Sequence, residues 1–490
     1  MTRPHGAGAP ATPSSGAGLL LLLLAGAAVL LGVHAGGTFQ DTDDYLYAQV
    51  ARESASLLHP TWHGVPFVHK PPLYFAILSA CRWTFGESLF VLRLPALLSG
   101  LACVALVFAL GRRVTGSSAA ATGAVGLLLS SSLWLEMSRR ALIDVPLVAV
   151  ALGGGAAPLL FNGRRGTTLA GLAIGVALAL KGAAAAPYLV VPGAVVAWRL
   201  LRARDALGAV LSALAVAATV LPFLGGQAGT HLQQAASSHV AGVTPGGLWL
   251  QGPWHYVEVF WGLGPSWALA ALLALGAAAV LARRGGVSGP TALLVLGFGA
   301  VPLLALSVLP VKLIHYVAGV PVGFALSAVV PIGALAARSA RGAGLLAFGL
   351  CGAAPVAQLG YLLGDPALVD ASRAQAALAE VARARLPRGA RVIVTDAYFL
   401  AFDYHARTLD VQMAVPGEAA FRTLEEVREF HASGRIRRAD REAVLGEVES
   451  GRAAAAVLSA SAWKTLSAAH AALGPLATEG GLTLVAASPR

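Results

Sequence analysis

Long apolar runs separated by short polar breaks dominate the chain, and most runs have the length of a membrane helix. Crossing the hydrocarbon core takes about 20 apolar residues, and that pattern predicts about 11 or more spans. They fall at 17–36, 90–111, 117–137, 141–161, 167–181, 183–200, 206–224, 265–282, 290–310, 313–336 and 342–363. The first run follows Arg3 as a signal peptide would, but the similar spans behind it argue for a retained helix. Two polar stretches, 37–89 and 225–264, are too long to be tight turns. Inside the first, Tyr45–Leu58 and Pro72–Phe85 each carry one apolar face, predicting short helices along the membrane interface. From 364 to 490 the pattern is that of a soluble domain. Arg391–Asp396 and Ala453–Leu458 read as strands, Phe421–Ala432 and Ala439–Glu449 as helices, together a small α/β domain.

The basic residues orient these spans. Arg112/Arg113, Arg164/Arg165, Arg199/Arg202/Arg204, Arg283/Arg284 and Arg338/Arg341 all fall on one side, together with Arg3. Cytoplasmic loops collect such residues, which puts the tail 1–16 inside and places both long loops and the C-terminal domain outside. The segment Pro72–Phe85 then does not cross, since a crossing there would invert every later cluster. Composition agrees: 57% of the 490 residues are hydrophobic and 12% charged, against about 25% charged in soluble domains. The expected fold is a polytopic α-helical membrane protein with the α/β domain appended. The net charge of +11 is dispersed in those small clusters, which argues against a nucleic-acid partner. Three cysteines, far apart and without metal spacing, exclude a disulfide framework.

Charge is scarce, so the charges outside the cytoplasmic clusters carry the chemistry. Asp41, Asp43 and Asp44 open the first outer loop, and Lys70 stands before the rigid Pro71-Pro72. Arg52, Lys70, Arg82, Arg93, Arg139, Arg140, Lys181 and Lys312 form a basic set on the outer side, against the usual rule. Such a set suits an anionic ligand, with phosphate at a membrane surface the natural one; lipid headgroups or local ion pairs are the plainer reading. Asp43 and Asp44 suit the N-terminus of a helix dipole, or one of them is a general base on an acceptor hydroxyl. Asp144 sits just inside a span, where an acid is costly unless paired. Either Arg139 or Arg140 pairs it, or it faces the same pocket as Lys70. Outer histidines, His69, His231, His239, His255 and His315, lack metal-motif spacing and are interfacial or hydrogen-bonded unless two or three converge on a divalent cation. Asp41-Thr42-Asp43 spells a DxD, but on the side opposite to cytoplasmic nucleotide sugars. A transporter is the main rival, although its ionisable groups would lie nearer the bilayer midplane.

Asp43-Asp44-Tyr45-Leu46-Tyr47-Ala48-Gln49-Val50-Ala51-Arg52-Glu53 resembles the signature of ArnT-like membrane glycosyltransferases, bacterial relatives of the protein O-mannosyltransferases with the GT-C fold. Gly64-Val65-Pro66-Phe67-Val68-His69-Lys70-Pro71-Pro72-Leu73 resembles a second signature, and Arg93-Leu94-Pro95, Asp144, Lys181-Gly182, Gln251-Gly252-Pro253-Trp254 and Lys312 with His315-Tyr316 resemble further landmarks over about 15–335. The resemblance implies transfer of a sugar from a polyprenyl-phosphate carrier to an envelope acceptor outside the bilayer. It implies Asp43 and Asp44 as catalytic acids, Lys70 at the lipid phosphate, and Tyr47, Arg52, Arg93, Asp144, Lys181, Lys312 and His315 around the cavity. A divalent metal is optional, with His69 and His239 as its candidate ligands. Three positions depart from the pattern: Asp44 and His69 stand where the family has Glu, and Gly242 where it has Arg. The sugar and the acceptor are therefore open.

Overall fold

The computed structural model describes residues 14–32, 42–68, 70–224, 252–262, 265–284, 288–309, 312–364, 367–396, 399–415 and 433–488. The membrane part begins with α1 (Ser14–Gly32), followed by the two loop helices α2 (Thr42–Glu53) and α3 (Leu73–Phe85). Then come α4 (Leu89–Thr115), α5 (Ser118–Leu129), α6 (Ser132–Ser138), α7 (Asp144–Leu160), α8 (Gly163–Lys181), α9 (Ala186–Ala203) and α10 (Ala206–Leu224). After the second loop run α11 (His255–Gly262), α12 (Pro265–Arg284), α13 (Gly289–Val308), α14 (Val320–Arg338) and α15 (Ala340–Gly364). Local chemistry sets several ends. Ser88 and Ser117 cap α4 and α5 through their hydroxyls, and Gly116 closes α4 in the left-handed region. Ser131 starts a new cap in mid-span, so α6 leaves α5 at 74°.

Among the described residues, five helical stretches are long and apolar enough to cross a membrane, or six if the bent α5–α6 pair is one span. Helices occupy the other expected spans too, but with shorter apolar stretches such as Asp144–Leu160 and Ala340–Gly352. Small residues bring helices together: a Cβ on Gly323 of α14 would lie 2.1 Å from the Gly299 nitrogen of α13, so the backbones touch.

The first loop is built around a tight hairpin, β1 (Thr61–Trp62) and β2 (Val65–Pro66). Its turn residues His63 and Gly64 both have positive φ, 49° and 77°, as a turn matched to strand twist requires. The helix expected over Tyr45–Leu58 is shorter at its end, stopping at Glu53, and Pro71-Pro72 delays α3 until Leu73.

The C-terminal part is an α/β layer. Four parallel strands, β3 (Arg391–Val394), β4 (Asp410–Val415), β5 (Ile436–Arg438) and β6 (Ala455–Ser459), join antiparallel β7 (Leu473–Glu479) and β8 (Leu482–Ala487) in the order β5-β4-β3-β6-β8-β7. Alternation sorts the strand side chains: Val392 and Val394 join the core with α16 (Ala367–Arg385) and α17 (Leu400–Ala406), whereas Ile393 faces α18 (Arg441–Glu449) and α19 (Ala460–Leu466). The helix expected at 421–432 lies outside the described residues.

Candidate active site

Asp43 and Asp44 occupy the first turn of α2, where the helix dipole favours a carboxylate. Their surroundings differ. Asp44 is fully buried, and its Oδ1 accepts the Ala141 amide at 2.5 Å, which ties α2 to the turn before α7. Arg93, buried near the start of α4, lies within electrostatic reach of Asp44. Asp43 is only half-buried and acts on Tyr47 and Tyr316. Burial first, and Asp43 next, pushes the Tyr47 phenol well above its ordinary range, so it stays a neutral hydrogen-bond donor.

A second group assembles where three elements meet. Asp144 opens α7 and its carboxylate is paired with Lys181 at the end of α8, both side chains 5% exposed. The Lys181 ammonium lies 4.7 Å from the centre of the Tyr316 ring. His315 and Lys70 are also within electrostatic reach of the Asp144 carboxylate. The Lys70 loop arrives through Pro71, whose Cγ would be 3.5 Å from a Cβ on Gly182, the left-handed residue (φ 59°) that ends α8. Two lysines and a histidine thus gather round one buried aspartate, with Asp43 on the α2 side. Lys312, also buried, donates to the Leu309 carbonyl at 2.5 Å.

The structure brings together Asp43, Tyr47, Lys70, Asp144, Lys181 and His315, and sets Asp44 with Arg93 beside them. One expectation needs correction, and one open alternative closes. Arg52 does not face this cluster: its Nε bonds Glu87 at 2.7 Å, Nη1 donates to the Tyr404 carbonyl at 2.8 Å, and its guanidinium stacks 3.6 Å over the Tyr404 ring. It sits on the far side of α2, where the C-terminal domain docks. Of the two readings of Asp144 the structure gives the pocket shared with Lys70, and the pairing with Arg139 or Arg140 is not formed. Arg140 reaches Glu136 at 2.7 Å, one helical turn back, while the Arg139 Nε donates to the Leu135 carbonyl at 3.1 Å. Asp41, His69 and His239 lie outside the described residues. Among the described residues, no three His, Cys, Asp or Glu side chains are grouped to hold a metal ion.

Two tyrosines, Tyr188 and Tyr256, belong to the site that sequence reasoning did not single out. The Tyr188 hydroxyl donates to the Tyr316 carbonyl at 2.7 Å and accepts the Gly319 amide at 3.1 Å, and Tyr256 donates to the Leu313 carbonyl at 3.1 Å. They pin the 313–319 turn that presents His315. Neither has a local signal in the sequence.

The fold is similar to that of ArnT from Cupriavidus metallidurans. The crystal structure bound to undecaprenyl phosphate superposes with TM-score 0.70 at 16% identity, covering 96% of this chain and 99% of that one. The apo crystal structure gives 0.69 at 17%, with 97% and 100% covered. Among curated proteins, no sequence matches. A family model described as dolichyl-phosphate-mannose-protein mannosyltransferase, PMT_2, matches residues 69–223, the stretch that carries Lys70, Arg93, Asp144 and Lys181. The family match thus covers about a third of the chain, and the likeness to ArnT extends the fold over nearly all of it. In this ArnT-like fold Asp144 and Lys181 stand at helix ends rather than in mid-span.

Proposed function

We propose that this enzyme moves a sugar from a polyprenyl-phosphate carrier to a hydroxyl of an envelope acceptor at the extracytoplasmic face. The observation that carries the reading is the convergence of Lys70, Lys181 and His315 on buried Asp144, with Asp43 opposite. Undecaprenyl phosphate bound to ArnT supports the donor class. In this mechanism Asp43 takes the proton from the acceptor hydroxyl. The acceptor oxygen bonds to the anomeric carbon as the bond to the phosphate oxygen breaks, which inverts the configuration. The departing phosphate keeps the electron pair, and Lys70 offsets its charge, with Asp144 holding Lys181 in place. Fixed cations aimed at developing charge are the largest single means of lowering such a barrier. About 11 spans with a cytoplasmic N-terminus would put Asp43, Lys70 and the 364–490 domain on the outer side, as the arginine clusters require.

The test is release of labelled polyprenyl phosphate from polyprenyl-phosphate sugars by purified protein given an envelope extract. Asp43→Asn is expected to lower turnover by at least 10²-fold, in the range of a lost general base, without altering expression. Lys70→Ala is expected to weaken donor binding. Full turnover by Asp43→Asn would overturn the assignment.

A further inference from the structure

The C-terminal sheet changes direction at β3. The chain runs outward from β3 through β4 to β5, then returns to the opposite side of β3 as β6. The helix after β3, α17, packs on one face, and the helix after β6, α19, packs on the other. Loops leaving the carboxyl ends of β3 and β6 therefore diverge, and in α/β sheets ligands bind in the crevice at such a reversal. A cleft of about 500 Å³ opens at that end of the sheet. Its walls are Ser459 at the end of β6, Asp440, Arg441 and Glu442 at the start of α18, and Ser461 and Thr465 of α19. Ala462 and Leu466 supply an apolar surface. The volume falls within the range of small-molecule sites, roughly 300–1,000 Å³.

We infer that this cleft binds carbohydrate and holds a sugar unit of a glycan acceptor away from the transfer site. The inference rests on the proposed transferase reading for its role, and on the cleft alone for its ligand. The charges decide the class. Arg441 is engaged by Asp396 at 2.7 Å, and the other Asp396 oxygen accepts the Ser459 amide and hydroxyl, each at 3.1 Å. That neutral pair leaves Asp440 and Glu442 as the net charge of the wall, so a phosphate or an acidic headgroup is repelled. Carboxylates accept from vicinal hydroxyls, the Ser and Thr hydroxyls donate or accept as needed, and an apolar wall suits the face of a pyranose ring. Because α17 docks on α2 from the opposite sheet face, the cleft is an anchoring subsite. It governs acceptor affinity rather than the chemical step.

Saturation-transfer NMR on the full-length protein in nanodiscs, without donor, tests this using glucose, galactose, mannose and glucosamine, with inorganic phosphate and a short acidic peptide as comparisons. Ring-proton signals from at least one saccharide are expected, falling at least tenfold in Ser461→Trp and in Thr465→Trp. Both positions are exposed, so the substitutions fill the cleft without entering the core; Glu442→Gln keeps the shape and is expected to weaken glucosamine most. No saccharide signal, a signal unchanged in the filled variants, or binding of phosphate or peptide alone would overturn the inference. Donor turnover in the filled variants, with a monosaccharide acceptor, is expected to stay within twofold. A failure of the transferase reading would show instead in Asp43→Asn.

Discussion

The Asp144–Lys181 pair sets what can be changed inside the site. Both groups are buried, and a buried pair often contributes little net stability, yet removing one partner strands the other charge at about 3–5 kcal/mol. Asp144→Ala should therefore lower the unfolding midpoint more than the Asp144→Leu/Lys181→Met double replacement, while both abolish turnover. Equal midpoints in a detergent-stable thermal series would remove the pair from the structural account. His405 gives a second handle, outside the membrane. Burial first, then Arg52, Arg407 and Arg383, lowers its imidazole pKa to about 4. The fold thus holds the neutral ring, whose unfolded pKa is about 6.5. Stability is complete above about pH 6.5 and drains as pH falls toward 4, by on the order of 2–3 kcal/mol in all. His405→Gln should flatten the melting temperature over that window. Lys70, Asp144 and Lys181 were legible in the sequence because a charge at an apolar boundary is costly and so conspicuous. Arg52 was misplaced because the sequence does not tell which side of α2 meets the C-terminal domain. Tyr188 and Tyr256 were invisible because tyrosine is common at membrane interfaces whatever its task.

At the scale of elements, the apolar runs marked where helices form, and Ser88, Ser117 and Ser131 refine where they begin. Length alone could not show the bend at Ser130-Ser131, since a cap in mid-span reads as ordinary polar residues. Nor could it show the α13–α14 crossing, because Gly299 and Gly323 are only two of many glycines. That crossing is strict: the atoms a new Cβ would meet are backbone, which no rotamer can move aside. Gly323→Val should leave little folded monomer by size exclusion. Gly344→Ala on α15, with nothing within 4 Å of the new carbon, should behave as wild type. Helix α2 is held from both sides, by Ala141 below and by α17 above. His63 bonds Asp403 at 2.7 Å, and Glu87 bridges Arg52 and Arg407 at 2.7 and 3.3 Å. Asp403→Asn with Glu87→Gln should raise amide exchange across 42–53 while sparing α13 and α14; unchanged exchange would show that these two ionic links do not hold the helix.

For the whole molecule, the C-terminal domain is part of the same packed body as the first loop. Trp62, Tyr45 and Phe67 share one core with Phe399, Leu400 and Phe402. The composition change near 364 marked a separate unit but gave no hint of this seam, because the contacts pair residues more than 300 positions apart. The bond from Arg52 to Tyr404 closes a span of 352 residues. At about 5–20 residues per second, roughly 18–70 s separate the synthesis of its two ends. Throughout that interval α2 lacks the partner that Tyr404 supplies, and the hairpin beside it lacks Asp403. A chain stopped before Tyr404 would therefore leave the first loop without its C-terminal support.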